Sequence, residues 1–184
     1  MMRLFVALWP PPRVVDQLTA QLAAAREEFG QLAWIEPQRS HITLVFLGSV
    51  CDDAVDGLAD QLQAVCDATE PFRIRLTGAG HFGRATLWAG VDGDTPALFR
   101  LHRTMVAAMG DWAAPRRAWS AHLTLARGRR HGDVRPAARV LDGLTTDAWE
   151  VTQARLVRSD TRPEGAVYHQ LRSMPLRGGP TWSP

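Results

Sequence analysis

His41-Ile42-Thr43-Leu44 returns as His122-Leu123-Thr124-Leu125, 81 residues further along the chain. Each copy sits in an apolar run that predicts a strand, Ile42 to Leu47 in the first case and Leu123 to Ala126 in the second. Side chains alternate between the faces of a strand, so His and Thr two apart look the same way while Ile42 or Leu123 between them turns into a core. Two imidazoles and two hydroxyls can therefore share one destination.

Outward from the two motifs, the pattern predicts strand 3–9, helix 12–29, strand 41–47, helix 52–68, strand 72–78, strand 86–91, helix 96–109, strand 122–126, a short helix 134–142, and strands 150–158 and 167–175. The first helix places Val14, Val15, Leu18, Leu22, Ala25 and Phe29 at helical spacing and stops at Gly30. The third starts with Thr95 as its cap and Pro96 in its first turn, and ends at Gly110. Helices alternate with strands until the last two strands, which are consecutive, so an α+β or mixed α/β protein with helices over sheets is expected. The order strand, helix, His-Thr strand, helix, strand occurs twice, in approximate repeats 1–80 and 86–176. Phe5 precedes His41 by 36 residues and Leu87 precedes His122 by 35; Ile74 follows His41 by 33 and Leu156 follows His122 by 34. Two related halves would face each other across a cleft, each lending one His and one Thr.

With 184 residues, 46% of them hydrophobic, the chain is expected to form one compact domain or two small lobes sharing a core. The apolar start, Leu4 to Leu8, is too short to span a membrane and runs into Pro10-Pro11-Pro12, which predicts a first strand and no targeting segment. Cys51 and Cys66 match neither a zinc site nor a redox pair, and both fall in one predicted helix, as expected of reduced thiols in a cytoplasmic protein. The net charge is only +2, but all 21 basic residues are Arg, and seven lie between Arg116 and Arg139 against the single carboxylate Asp133. Guanidinium groups fork toward phosphate, so a polyanionic ligand fits, although exposed arginines are also ordinary solvated surface.

Histidine has an unperturbed pKa of about 6.5 and can give or take a proton near neutrality. In phosphodiester hydrolysis one neutral imidazole can deprotonate the attacking water while one imidazolium protonates the leaving oxygen. Two Thr hydroxyls can donate to the non-bridging oxygens and an Arg can neutralise growing charge, with no metal or other cofactor needed.

The doubled motif resembles the two-histidine phosphoesterase superfamily, and specifically its RNA 2′,3′-cyclic phosphodiesterases, historically called 2′-5′ RNA ligases. The resemblance extends through Trp34-Ile35-Glu36-Pro37, Ser40 to Gly48, Gly78 to Gly83, Thr86 to Val91, Leu156 to Asp160 and Val167-Tyr168. It implies a bilobal α+β fold with pseudo-twofold symmetry and a cleft between antiparallel sheets covered by helices. It also implies metal-independent opening of a cyclic phosphate on RNA or a nucleotide to a 2′-phosphate, with 2′-5′ ligation as the reverse reaction. His41 and His122 fall on the family's catalytic positions and Thr43 and Thr124 on its phosphate-holding positions. Arg127 matches a position for phosphate or base contacts, and Phe46 lies where an aromatic lines the nucleoside site. The protein is expected to act as a monomer away from membranes. Strict strand alternation turns Arg127 and Phe46 away from the His-Thr face; a strand that ends or bulges after the motif would turn them back, and Gly48 and Gly128 stand just beyond. Ser120-Ala121 replaces the Arg-Pro pair common in the family before the second His.

The other histidines, His81, His102, His131 and His169, read as surface or packing residues, and Trp34 and Trp119 as core anchors rather than base platforms. Gly78, Gly80 and Gly83 imitate a phosphate loop without opening a helix. Within the pair, His122 is assigned as base and His41 as acid, and the reverse fits the residues equally well. The alternatives are a nucleotide- or RNA-binding module with little turnover, and a metal hydrolase built on His41, His122 and Asp52.

Overall fold

The computed structural model describes residues 1–113, 118–129, 132–162 and 165–178. In chain order it contains β1 (Met2–Leu8), α1 (Pro12–Glu28), β2 (Ala33–Trp34), β3 (Ile42–Val50), α2 (Val55–Asp67), β4 (Phe72–Phe82), β5 (Thr86–Gly93), α3 (Thr95–Met109), β6 (His122–Arg127), α4 (Arg135–Val140), β7 (Trp149–Val151), β8 (Gln153–Arg162) and β9 (Gly165–Pro175). This is an α+β fold in which every strand pairing among the described residues is antiparallel.

Hydrogen-bonded order along the sheet is β7-β4-β5-β6-β3-β1-β8-β9, with β2 also on β6. The His41 strand and the His122 strand meet at the centre, through the single pair Ile42 and Leu123. On either side of that seam a strand just upstream flanks each motif, β1 beside β3 and β5 beside β6. The next strands out are exchanged relative to the chain: β4 joins β5, and β8 returns from the far end of the sequence to join β1. Neither side of the sheet is therefore one continuous half of the sequence.

Several boundaries differ from the expected ones for identifiable reasons. The predicted strand 150–158 splits at Thr152, because Trp149 and Val151 face the core beside β4 whereas Ala154 and Leu156 face it beside β1. Two successive polar residues, Thr152 and Gln153, mark the crossing. β4 continues past Gly78 to Phe82; Gly78, at φ 59°, is the extra residue of a bulge against β5, the left-handed conformation that glycine adopts readily. α3 is capped by Asp94, whose carboxylate accepts from Ala97 N at 3.0 Å, so Thr95 is inside the first turn rather than its cap. Cys51 precedes α2 instead of lying in it, and only Cys66 is helical; burial, helped by the charge of Asp67, pushes that thiol up to about 12.

One continuous core runs beneath the sheet on its helical side. Leu4, Val6, Ile42 and Leu44 from one side of the seam and Leu87, Leu123 and Leu125 from the other share it with Leu18 and Leu22 of α1 and Leu101 and Met105 of α3. A second, small cluster of Phe5, Ala7 and Val157 lies on the opposite face, with Trp9 against it. That face carries the cleft. Among the described residues no helix is long and apolar enough to cross a membrane.

Candidate active site

The route from sequence to cleft passes through two matching bulges. Along β3, Ala7 pairs with Thr43 but Val6 pairs with Val45, so Leu44 is an extra residue. Along β6, Trp88 pairs with Thr124 but Leu87 pairs with Ala126, so Leu125 is extra. Each bulge therefore falls on the fourth residue of its motif. Leu44 and Val45 are both buried, as are Leu125 and Ala126, so the alternation resets by one residue. Phe46 and Arg127, each five residues after its His, return to the face that carries the Thr side chains. The strands bulge within the motif; Gly48 lies inside β3, which runs on to Val50.

The result is one cavity of about 450 Å³ lined by His41, Thr43, Phe46, His122, Thr124 and Arg127. Arg3, Phe5, Arg39 and Tyr168 also line it. The sequence pattern did not single out these four as site residues. Arg3 and Phe5 share the alternate face of β1 with Ala7, and Phe5 pairs with Phe46, so strand pairing was the missing signal.

Both imidazoles are anchored in the same manner. His41 Nδ1 lies 3.1 Å from the Arg39 carbonyl and His122 Nδ1 lies 2.8 Å from the Ser120 carbonyl. A carbonyl can only accept, so Nδ1 carries the hydrogen in each ring and Nε2 is left for a ligand. The two rings differ in their walls. His41 is enclosed by Phe5, Trp9 and Tyr168 at centroid distances of 4.9, 4.8 and 5.1 Å. That burial lowers its pKa to about 4; the Arg39 carbonyl opposes the shift, and the nearby His122 adds a smaller lowering. His122 has Phe82 at 4.9 Å and Trp88 at 6.4 Å.

The segment before each motif braces the other motif. Trp119 Nε1 donates to the Thr43 carbonyl at 3.0 Å, and Ser40 Oγ donates to the Thr124 carbonyl at 3.4 Å. His102 on α3 stacks on Trp119 at 4.0 Å and places Nδ1 2.8 Å from the carbonyl of the bulged Leu44. Among the described residues neither threonine hydroxyl has a hydrogen-bond partner in the protein, and Arg127 has no carboxylate partner.

The arginine surplus around the second motif does not converge as a block. Of its four described members, Arg127, Arg129, Arg135 and Arg139, only Arg127 lines the cavity, and Arg135 pairs with Asp133; Arg116, Arg117 and Arg130 lie outside the described residues, as does His131. Hydrogen bonds from Arg135, with Arg84 nearby, hold the Asp133 carboxyl well below the usual carboxylate range. Asp52 is away from the cavity, in an ion pair with the Met1 amino group at 3.0 Å, which removes it as a companion to the two histidines. His81 lies in β4 rather than a loop, and His169 faces Asp160 at 3.1 Å. Trp34 donates to the Phe29 carbonyl and packs on the core.

A cleft built from two His-x-Thr strands has counterparts among known proteins. The model of the 2′-5′ RNA ligase superfamily matches residues 10–163. The chain belongs to that superfamily. Among its superfamily relatives, an RNA 2′,3′-cyclic phosphodiesterase of Thermus thermophilus is 31% identical over 96% of this chain and 91% of its own length. The crystal structure of TT0787, also of Thermus thermophilus, matches with a TM-score of 0.78 at 26% identity, covering 96% of this chain and 99% of that one. LigT of E. coli, solved in complex with 3′-AMP, shares the fold, with a TM-score of 0.70 at 19% identity over 95% of this chain and 97% of LigT.

Proposed function

We propose that the protein hydrolyses 2′,3′-cyclic phosphate ends of RNA to 2′-phosphates by paired-histidine acid and base catalysis. The observation that carries this reading is the matched anchoring of two imidazoles, each with Nδ1 tied to a carbonyl and Nε2 left to one shared cavity. The superfamily, and a fold relative that holds a 3′-nucleotide, support a nucleotide phosphate as the occupant.

In this mechanism water attacks phosphorus as His122 Nε2 takes its proton, the bond from phosphorus to O3′ breaks, and His41 Nε2–H delivers a proton to O3′. A 2′-phosphate and a free 3′-hydroxyl result. Thr43 and Thr124 donate to the non-bridging oxygens, and Arg127 offsets the charge that grows there. Phe46, 61% exposed at the rim, offers its ring to the nucleoside. With the 5′-hydroxyl of a second RNA in place of water, the same groups form a 2′-5′ phosphodiester, and the step runs in both directions.

One observation favours the exchanged roles. Burial keeps His41 neutral in the unliganded protein, which suits a base, so serving as the acid requires the arriving phosphate anion to restore its proton. In either assignment both rings are needed. His41→Ala and His122→Ala are each expected to lower turnover of adenosine 2′,3′-cyclic phosphate by about 100-fold or more, measured by product formation. Full activity in either variant contradicts the mechanism.

A further inference from the structure

A second hollow, of about 360 Å³, adjoins the cleft. Arg39 and Tyr168 line both and so form the partition between them. The second hollow continues the sheet face that floors the first. Phe46 pairs with Phe5 across β3 and β1, Phe5 with Val157 on β8, and Val157 with Gln170 on β9. Val157 and Gln170 line the new hollow, together with Trp9, Arg155 and Gln38.

These side chains have the chemistry of a nucleobase site. Trp9 supplies an aromatic face with the Arg155 guanidinium 5.3 Å from its ring centroid, and Val157 supplies an apolar floor. The amides of Gln38 and Gln170 each carry a donor and an acceptor, which is what base edges present. Arg39, hydrogen-bonded to the Ala166 carbonyl and lying 5.9 Å from the Tyr168 ring centroid, stands as a cation between the two hollows, where a linking phosphate would pass. Trp9 is also 4.8 Å from His41, so the second hollow begins directly beside the reacting end.

A 2′,3′-cyclic phosphate terminates the 3′ end of a chain, and its nucleoside is joined through the 5′ oxygen to the nucleotide before it. We infer that the Trp9–Arg155 hollow is a subsite for that preceding nucleotide, and that the preferred substrate is an RNA of two or more residues rather than a cyclic mononucleotide. This rests on the cyclic-phosphate chemistry proposed above.

The test compares adenosine 2′,3′-cyclic phosphate with the dinucleotide ApA ending in the same group, using the wild-type protein, Arg155→Gln and Gln170→Ala. Calorimetry with the corresponding 2′-phosphates, Ap and ApAp, runs alongside. The wild type is expected to favour the dinucleotide by roughly tenfold in kcat/KM and in affinity, the scale of one stacked base. Each variant should lose most of that advantage while its mononucleotide values stay within twofold. Equal wild-type values for the two lengths, or variants that weaken both lengths alike, overturn the subsite. If the wild type hydrolyses neither compound, the cyclic-phosphate reading fails, and the Ap and ApAp affinities still decide the subsite: equal affinities reject it.

Discussion

At the scale of single residues, His41 differs from His122 in what surrounds it, and that difference is measurable. Burial among three aromatic rings lowers the pKa of His41 from the usual imidazole value of about 6.5 to about 4. In an NMR titration of the free protein the His41 ring is expected to stay neutral down to about pH 4, and inorganic phosphate should raise its midpoint. A midpoint at or above 6.5 without phosphate contradicts the enclosure. The unfolded chain binds this proton more readily than the folded one between pH 6.5 and 4. His41 therefore contributes full stability above that window and progressively less as pH falls through it. Denaturant midpoints of His41→Gln should accordingly fall less over this range than those of the wild type. The His and Thr pairs were legible in the sequence because a spacing of two guarantees a shared face. Tyr168 and Arg39 were not, because they reach the cleft from β9 and from the turn before β3, and tertiary placement leaves no local period.

Individual elements show how a pattern rule fails in a useful way. Strict alternation pointed Phe46 and Arg127 away from the cleft, and a bulge at the same place in both motifs reverses that. An unpaired extra leucine was visible in the sequence only as two adjacent apolar residues, Leu44-Val45 and Leu125-Ala126, where one was due. Helix positions were better encoded, since the buried stripes of α1 and α3 follow the apolar spacing closely. If the Leu125 bulge presents Arg127 to a bound phosphate, Arg127→Ala should lower kcat/KM by about 10- to 100-fold, the value of a charged hydrogen bond. Arg129→Ala, two residues further on and outside the cavity lining, should stay within twofold. Steady-state kinetics on both variants distinguishes a specific contact from a general effect of the local positive charge, which would lower both alike. Within β5, Gly90 is constrained by its neighbours: a Cβ there would sit 2.7 Å from the Thr77 carbonyl oxygen. Gly90→Ala is therefore expected to lower the melting temperature by several degrees, because backbone must move to admit it.

For the whole molecule, the repeated order of elements was legible, but the exchange of β4 and β8 across the seam was not, since spacing along a chain does not say which strands pair. That exchange and the continuous core tie the two sides together although the seam itself holds only one residue pair. Thermal unfolding should then appear as one transition by both circular dichroism and tryptophan fluorescence. Ile42→Ala, at the fully buried seam, should lower stability by about 2–5 kcal/mol without splitting that transition. Two separated transitions would mean that the sides fold independently. What the joined cleft does to a phosphate is read by incubating a short RNA ending in a 2′,3′-cyclic phosphate with the protein in the presence of EDTA and identifying the product isomer. Full conversion to the 2′-phosphate is expected; a 3′-phosphate product, or no conversion, would contradict the account.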